Sequence, residues 1–219
     1  MLPRRKLDGV EVKGIVIGIT GLAGSGKSLV AANLAQEGFE VYSLDASGHV
    51  LLEEPDVKKR LTGEFGEETI CAADGTIDRK KLGALVFSSK RKLSRLNAIV
   101  HPVMAERAKK WINETRAAGR AGIVEGALVY EFGLKDVLDG VILVDAPFEE
   151  RLKRLKKSRG WDKARLLAIE AAHGKKMNVD KKVEQGALLV KNTGTTSGLL
   201  DKVHSIMEER HWLPTKTKT

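Results

Sequence analysis

The sequence has one cysteine, few aromatic residues and no long apolar run. Cys71 is alone among 219 residues, so no internal disulfide can form, and no Cys/His spacing resembles a zinc site. The longest uncharged stretch near the start, Gly14 to Gly26, is 13 residues long, whereas a bilayer-spanning helix needs about 20. Asp8 and Glu11 interrupt the region where the apolar part of a signal peptide would lie. We therefore expect a cytoplasmic protein without disulfides, structural metal or a transmembrane span.

Aromatic residues are scarce in a chain that is strongly basic. Lys and Arg number 38 against 29 Asp and Glu, which gives a net charge of +9, with 5 Phe, 3 Trp and 2 Tyr. A basic surface attracts polyphosphates of any kind, nucleic acids included. Single-strand binding also uses aromatic stacking platforms, and the basic excess here lies mainly in one stretch, 149–184. We expect no nucleic-acid partner and no membrane partner. A nucleotide-binding module associated with nucleic acid stays open as an alternative.

The apolar pattern predicts an α/β fold. Short, mostly β-branched or Leu-rich runs are typical of strands buried on both faces of a parallel sheet, and longer stretches with helical spacing alternate with them. The predicted strands are Ile15–Thr20, Val41–Leu44, Ile123–Val124, Val141–Val144 and Leu188–Val190. The predicted helices include Ser28–Gln36, Pro102–Ala118, Pro147–Arg159 and Leu199–Glu209.

Uneven strand spacing indicates insertions in a single unit. About 75 residues separate the second and third strands, far more than one crossover helix requires. The spacing predicts a three-layer core over 14–50, 119–147 and 186–212 with a helical insertion at about 51–118. The basic stretch, about 148–185, forms a second insertion, and 213–219 is expected to be a disordered tail.

The most specific motif is a phosphate-binding loop. The match to Gly-x-x-x-x-Gly-Lys-Ser/Thr follows the first predicted strand and opens a helix, as the chemistry requires. Backbone N–H groups at that helix start can bind phosphates, Lys27 adds a positive charge, and the Ser28 hydroxyl completes the coordination of Mg²⁺. The predicted ATP-binding residues of the loop are Gly21, Ala23, Gly24, Ser25, Gly26, Lys27, Ser28 and Leu29. The guanine-reading tetrad Asn-Lys-x-Asp is absent, which favours an ATP-dependent kinase.

Further segments resemble the dephospho-CoA kinase family over nearly the whole chain. The most specific are Asp74-Gly75-Thr76-Ile77-Asp78-Arg79 and Leu96-Asn97-Ala98-Ile99-Val100-His101-Pro102. Leu44-Asp45-Ala46, Leu128-Val129-Tyr130-Glu131 and Asn192-Thr193-Gly194 are also similar to family motifs. The resemblance implies a kinase core with a helical acceptor region and a helical lid. It also implies transfer of the ATP γ-phosphoryl group to the ribose 3′-hydroxyl of dephospho-CoA, the last step of coenzyme A synthesis.

Three carboxylates stand at predicted strand ends, where ligands bind in such sheets. Asp45, which matches the family's first motif aspartate, is the predicted catalytic base, with a helix cap as the alternative. Glu125 is the predicted metal ligand, although Asp145 and a capping function stay open.

The resemblance also places residues around each substrate. Arg154 matches the first lid arginine and is predicted to stabilise the moving phosphoryl group, with Arg159 as a possible second. Asn192 and Gly194 are predicted to lie against the adenine. Because His101 precedes Pro102, we expect it in an extended or turn conformation at a helix start. The predicted acceptor-binding residues are Asp45, Arg79, Asn97, His101, Leu128 and Glu131.

The chain departs from the family pattern around acceptor and lid. Ser47 replaces an aspartate, Ala127 a proline and Arg151 a glutamine. A kinase for another small hydroxyl acceptor, such as a nucleoside or nucleotide, is therefore the alternative. The substrates predicted are ATP, with Mg²⁺, and dephospho-CoA, for a monomer or weak homo-oligomer.

Overall fold

A five-stranded parallel sheet forms the centre of the protein. The computed structural model describes residues 6–7, 10–11, 14–173 and 178–213. The strands are β3 (Val16–Thr20), β4 (Glu40–Ser43), β5 (Gly122–Glu125), β6 (Val141–Asp145) and β7 (Leu188–Lys191), in the order β4-β5-β3-β6-β7. Before them, β1 (Lys6–Leu7) and β2 (Val10–Glu11) form a small antiparallel pair. The predicted α/β class is confirmed, and each predicted strand is present to within two residues.

Helices pack on both faces of the sheet and fill the long connections. Between β4 and β5 lie α2 (Leu44–Leu51), α3 (Pro55–Phe65), α4 (Glu67–Ile70), α5 (Arg79–Phe87) and α6 (Lys90–Ala117). The basic stretch holds α7 (Phe148–Arg159), α8 (Lys163–His173) and α9 (Val179–Glu184). The others are α1 (Lys27–Gln36), α10 (Thr196–Glu209) and a 3₁₀ helix at Lys135–Val137.

Alternate residues of the central strand reach two separate apolar clusters. Ile17 and Ile19 pack with α1 and α10, whereas Val16 packs with the helices that follow β4. Successive strand side chains point to opposite faces, so a strand covered on both sides is apolar throughout. This packing fixes β3, and therefore the loop that follows it, between two helical layers.

The helix around Pro102 differs from the sequence prediction. We expected a helix to begin at Pro102, with His101 extended before it, but both residues lie inside the continuous α6. A proline within a helix costs about 3 kcal/mol because it removes a backbone hydrogen bond. Ile99 and Val100 are buried on the same face as Met104, and their burial offsets that cost. Tertiary packing therefore overrides the local signal.

The strand before Asp45 also ends one residue earlier than predicted. Asp45 was expected to end the second strand, but β4 ends at Ser43 and Asp45 lies in the first turn of α2. The Ser43 hydroxyl accepts a hydrogen bond from the Ala46 N–H at 3.3 Å, so the helix begins at Leu44, which the apolar pattern assigned to the strand. Ser43, not Asp45, is the helix cap.

The C-terminal end of the described chain packs on the core. Leu213 was assigned to the tail, but it packs against the cluster that includes Trp212, and residues 214–219 lie outside the described residues. Among the helices that the structure describes, none combines the length and apolarity needed to cross a membrane.

Candidate active site

The carboxyl ends of the parallel strands meet at one edge of the sheet. Glu125, at the end of β5, lies in register with Ile19 on one side and Ser43 on the other. In open α/β sheets ligands bind at this edge. A cleft of about 560 Å³ opens there, lined by the phosphate loop, the start of α2 and the basic helices.

The phosphate loop needs glycine because neighbouring backbone and side-chain atoms lie close to it. Gly24 and Gly26 have positive φ values of 77° and 108°. A Cβ on Gly26 would lie 2.5 Å from Nδ2 of Asn192, and one on Gly24 would lie 2.9 Å from the Arg151 carbonyl oxygen. Neither position accepts a larger residue. The loop leads into α1, which has no side-chain cap, so its first N–H groups are available to bind an anion.

Glu125 joins the loop to the neighbouring strand. Its side chain is buried and accepts hydrogen bonds from the hydroxyls of Ser28 at 3.0 Å and Ser43 at 3.4 Å. The Lys27 ammonium lies 3.6 Å from the Glu125 carboxylate. Hydroxyl and carboxylate oxygens are the ligands that Mg²⁺ prefers, and Ser28 and Glu125 supply one of each beside the phosphate loop. Their chemistry therefore fits the predicted metal.

Arg154 and Asn192 hold the loop from the opposite side. The Asn192 side-chain amide donates to the Ser25 carbonyl at 2.7 Å and is buried. Arg154 donates to the Gly24 carbonyl at 3.3 Å and to the backbone and side-chain oxygens of Asn192 at 3.3 and 3.4 Å. The predicted lid arginine and the predicted adenine loop are thus in direct contact beside the phosphate loop.

The cleft gathers most of the predicted nucleotide and catalytic residues. Asp45 and Leu128 line it together with Arg154 and Gly194. Of the predicted residues, Ala23, Gly24, Gly26, Lys27, Ser28, Leu29, Asp45, Leu128, Arg154, Arg159, Asn192 and Gly194 line the cleft. Asp45 is exposed, and within the described part of the chain its carboxylate has no hydrogen-bond partner. The site therefore places a free carboxylate in the same cleft as Lys27.

A second cavity of about 600 Å³ adjoins the cleft through Ile169, which lines both. Arg79 lines this cavity together with Lys80, Arg165 and the exposed ring of Phe87. His49 also lines it and stands four residues after Asp45 on α2, so the two side chains share a helix face. The cavity is basic and leads towards Asp45.

The other three predicted acceptor residues lie elsewhere. Asn97 and His101 are half-buried on α6, and the His101 ring packs edge-on against Phe132 with 5.1 Å between centroids. Glu131 lines a separate pocket, where its carboxylate lies 3.4 Å from the buried Lys182 ammonium. Their assignment to the acceptor stays a prediction.

Trp161 and Arg151 are among the residues in and around the site that the sequence did not predict. Trp161 lines the cleft, with the guanidinium groups of Arg159 and Arg165 at 5.5 and 5.0 Å from its ring centroid. Arg151, which the sequence marked only as a departure from the family's glutamine, is buried at 4% exposure. Its spacing of four from the buried Leu155 on α7 was the available signal that both face inward.

Comparison with known proteins agrees with this geometry. The family model for dephospho-CoA kinase matches residues 15–197. Dephospho-CoA kinase of Thermobifida fusca is 32% identical over 194 residues, which cover 88% of this chain and 94% of that protein. The crystal structure of TT1252 from Thermus thermophilus, 32% identical, has a TM-score of 0.70 and covers 90% of this chain and 98% of its own. The dephospho-CoA kinase from Campylobacter jejuni, 22% identical, shares the fold with a TM-score of 0.65, covering 89% and 96% of the two chains. The expected phosphate-loop kinase fold is confirmed.

Proposed function

The chain belongs to the dephospho-CoA kinase family and phosphorylates dephospho-CoA with ATP in coenzyme A biosynthesis, and we propose which of its residues carry that reaction. The observation that supports the assignment is the position of Asp45 in the same cleft as Lys27 and Ser28. One cleft thus holds phosphate-binding groups and a free carboxylate.

The phosphate loop binds the triphosphate of ATP. The N–H groups at the start of α1 and the Lys27 ammonium face the β- and γ-phosphates. A phosphate oxygen competes with the Glu125 carboxylate, 3.6 Å away, for the Lys27 ammonium. Ser28 and Glu125 would hold Mg²⁺, and the ion would supply charge neutralisation for the phosphates.

Asp45 prepares the acceptor. Its carboxylate accepts the proton of the ribose 3′-hydroxyl while that oxygen attacks the γ-phosphorus. The new bond joins the 3′-oxygen to phosphorus, the bond between the γ-phosphorus and the bridging oxygen breaks, and ADP leaves. Positioning and electrostatics supply most of the acceleration in such transfers.

Arg154 stabilises the phosphoryl group as it moves. Its guanidinium donates to two carbonyl oxygens and one amide oxygen at 3.3–3.4 Å and lies 3.8 Å from the exposed Glu150 carboxylate. Because 32% of the Arg154 side chain is exposed, phosphate oxygens can replace these long contacts. Gly194 and Thr196 line the adjoining wall, where the adenine of ATP fits.

The basic cavity beside Ile169 receives the rest of the acceptor. With the ribose at Asp45, the 5′-diphosphate of dephospho-CoA extends towards His49, one helical turn away. Arg79 and Arg165 supply positive charge for that diphosphate, and the exposed Phe87 ring gives an apolar surface for the pantetheine arm.

The location, assembly state and partners of the enzyme are also proposals. We propose that the enzyme acts in the cytoplasm as a monomer or weak homo-oligomer and does not need nucleic acid. The scarcity of aromatic residues supports the last point. Light scattering of the purified chain tests the assembly state.

An acceptor panel tests the substrate assignment. ADP release is measured with dephospho-CoA and with nucleosides and nucleotides, and coenzyme A is detected by mass. We expect turnover of dephospho-CoA in preference to every nucleoside. Lys27→Ala is expected to abolish turnover because the triphosphate loses its charged partner. Preferential turnover of a nucleoside would assign the enzyme to another acceptor.

A further inference from the structure

Arg151 connects three elements around the nucleotide cleft. Its Nε donates to the Ala146 carbonyl just after β6 at 3.0 Å, and its Nη1 donates to the Ala23 carbonyl of the phosphate loop at 3.3 Å. Nη1 also donates to the carboxylate of Glu170 on α8. Since Nη1 carries two hydrogens, both bonds form together. One buried guanidinium therefore links sheet, phosphate loop and α8.

The two helices that Arg151 joins are held to the core very differently. α7 lies directly on the phosphate loop, because a Cβ on Gly24 would already meet the Arg151 carbonyl oxygen at 2.9 Å. α8 is mostly exposed and fully buries only Leu166 among its described side chains. α7 is thus fixed, whereas α8 depends on few contacts, as mobile elements do.

The Arg151–Glu170 ion pair makes the energy of the buried Arg151 charge depend on the position of α8. The Arg151 side chain is 5% exposed and that of Glu170 is 24% exposed. If α8 moves away, the guanidinium stays in the interior with two carbonyl oxygens and no opposite charge, which is unfavourable. The Arg151 charge therefore favours the arrangement in which α8 covers the cleft with Ile169.

We propose that Arg151 is a positioning residue that ties α8 to the phosphate loop through Glu170 and so keeps the cleft covered while ATP is bound. The inference rests on the proposed function only in taking this cleft as the nucleotide site. A covered cleft slows the exit of the nucleotide. It also keeps water from replacing the acceptor and cleaving the γ-phosphoryl group to give ADP and inorganic phosphate.

Glu170→Gln tests the proposal because it removes the charge of the partner but keeps its size. The matched control is Glu149→Gln, an exposed carboxylate on α7. Dissociation of a fluorescent ATP analogue is followed by stopped flow, and thermal melting checks that both variants fold. We expect Glu170→Gln to speed dissociation by about 5- to 150-fold, the usual range for coupled sites, and Glu149→Gln to leave it unchanged. Equal dissociation rates in the two variants would overturn the proposal.

A double-mutant cycle shows whether Arg151 is the partner. If the two residues act together, Arg151→Gln speeds dissociation as Glu170→Gln does, and combining them adds little. Fully additive effects would contradict the coupling. A second readout is the excess of ADP over coenzyme A at saturating acceptor, which we expect to rise in Glu170→Gln. If the unmodified chain does not turn over dephospho-CoA, the proposed acceptor is wrong. The dissociation rates of the nucleotide would still test the role of Arg151.

Discussion

Two carboxylates of the site differ in what already surrounds them. Both oxygens of Glu125 accept serine hydroxyls, and Lys27 lies beside it, so this group is engaged before any substrate binds. Asp45 is exposed in the cleft, and within the described chain its carboxylate has no hydrogen-bond partner. A general base must be free to contact the hydroxyl whose proton it accepts. The difference favours Asp45 as the base and Glu125 as the metal ligand.

Asp45→Asn tests this assignment. The amide cannot accept the proton, so we expect kcat to fall by about 10²-fold or more, while ATP binding stays nearly unchanged because the phosphate loop is intact. Asp56→Asn is the matched control, since Asp56 is also exposed in the first turn of a helix. Steady-state kinetics and ATP titration measure the two effects. Full turnover by Asp45→Asn would remove Asp45 from the chemistry.

At the scale of elements, the site is built where the start of one helix meets the end of one strand. α1 presents the phosphate loop, and the turn after β7 presses on it through Asn192, whose amide donates to Ser25. That contact spans 167 residues of sequence. The loop is therefore shaped by a distant strand as well as by its own glycines.

Element prediction from the sequence succeeded where local signals agreed with packing. Short β-branched runs located all five strands of the sheet, because a strand covered on both faces is apolar throughout. The prediction for Pro102 was wrong because burial of Ile99 and Val100 outweighs a local preference. Asp45 was expected on a strand because Leu44 is apolar, yet Leu44 is buried as the first residue of α2.

Part of the site could also be predicted from the sequence. The phosphate loop is one continuous motif, so its residues were found together. Arg151, in contrast, acts through Ala23 and Glu170, which only the fold brings within reach. Spacing along α7 shows that Arg151 faces inward but not what it meets there.

Asn192→Ala measures how much the strand-end turn contributes to the loop. The change leaves the buried Ser25 carbonyl without its side-chain donor, so we expect a loss of about 1–3 kcal/mol in the free energy of unfolding. A displaced loop should also raise the KM for ATP on the order of tenfold to a hundredfold. Urea unfolding and steady-state kinetics are the measurements. Asn113→Ala, exposed on α6, is the control, and equal values for the two variants would show that the turn does not shape the loop.

At the scale of the whole molecule, α9 is joined to the segment after β5 by a buried charge. The Lys182 ammonium lies 3.4 Å from Glu131 and 4.1 Å from the Tyr130 ring centroid. Burial lowers the pKa of Lys182 below the ordinary value of 10.5, and the nearby Glu131 carboxylate opposes this only in part. Since Leu128 of the same segment lines the cleft, this pair connects the basic helices to the cleft wall.

The lowered pKa predicts a pH dependence of stability. A lysine whose pKa is lower in the folded state binds its proton more tightly when unfolded, so stability rises with pH between the folded and unfolded values. We expect the free energy of unfolding of the unmodified chain to rise relative to that of Lys182→Met as pH increases towards about 9.5. The difference should grow by at most about 1.4 kcal/mol per pH unit. Burial raises the pKa of Tyr130 above 10, so the phenol stays protonated over this range. Urea unfolding at several pH values gives the difference.

Lys181→Met separates this effect from the general loss of a positive charge. Lys181 is on α9 beside Lys182 and lines the same pocket, but it is exposed. Because the charge that Lys181→Met removes is exposed to solvent, we expect the free energy of unfolding of this variant to run parallel to that of the unmodified chain at every pH. If the free energy of unfolding of Lys182→Met also ran parallel to that of the unmodified chain, burial would not disfavour the charged form of Lys182. The contact between α9 and Glu131 would then depend on packing rather than on charge.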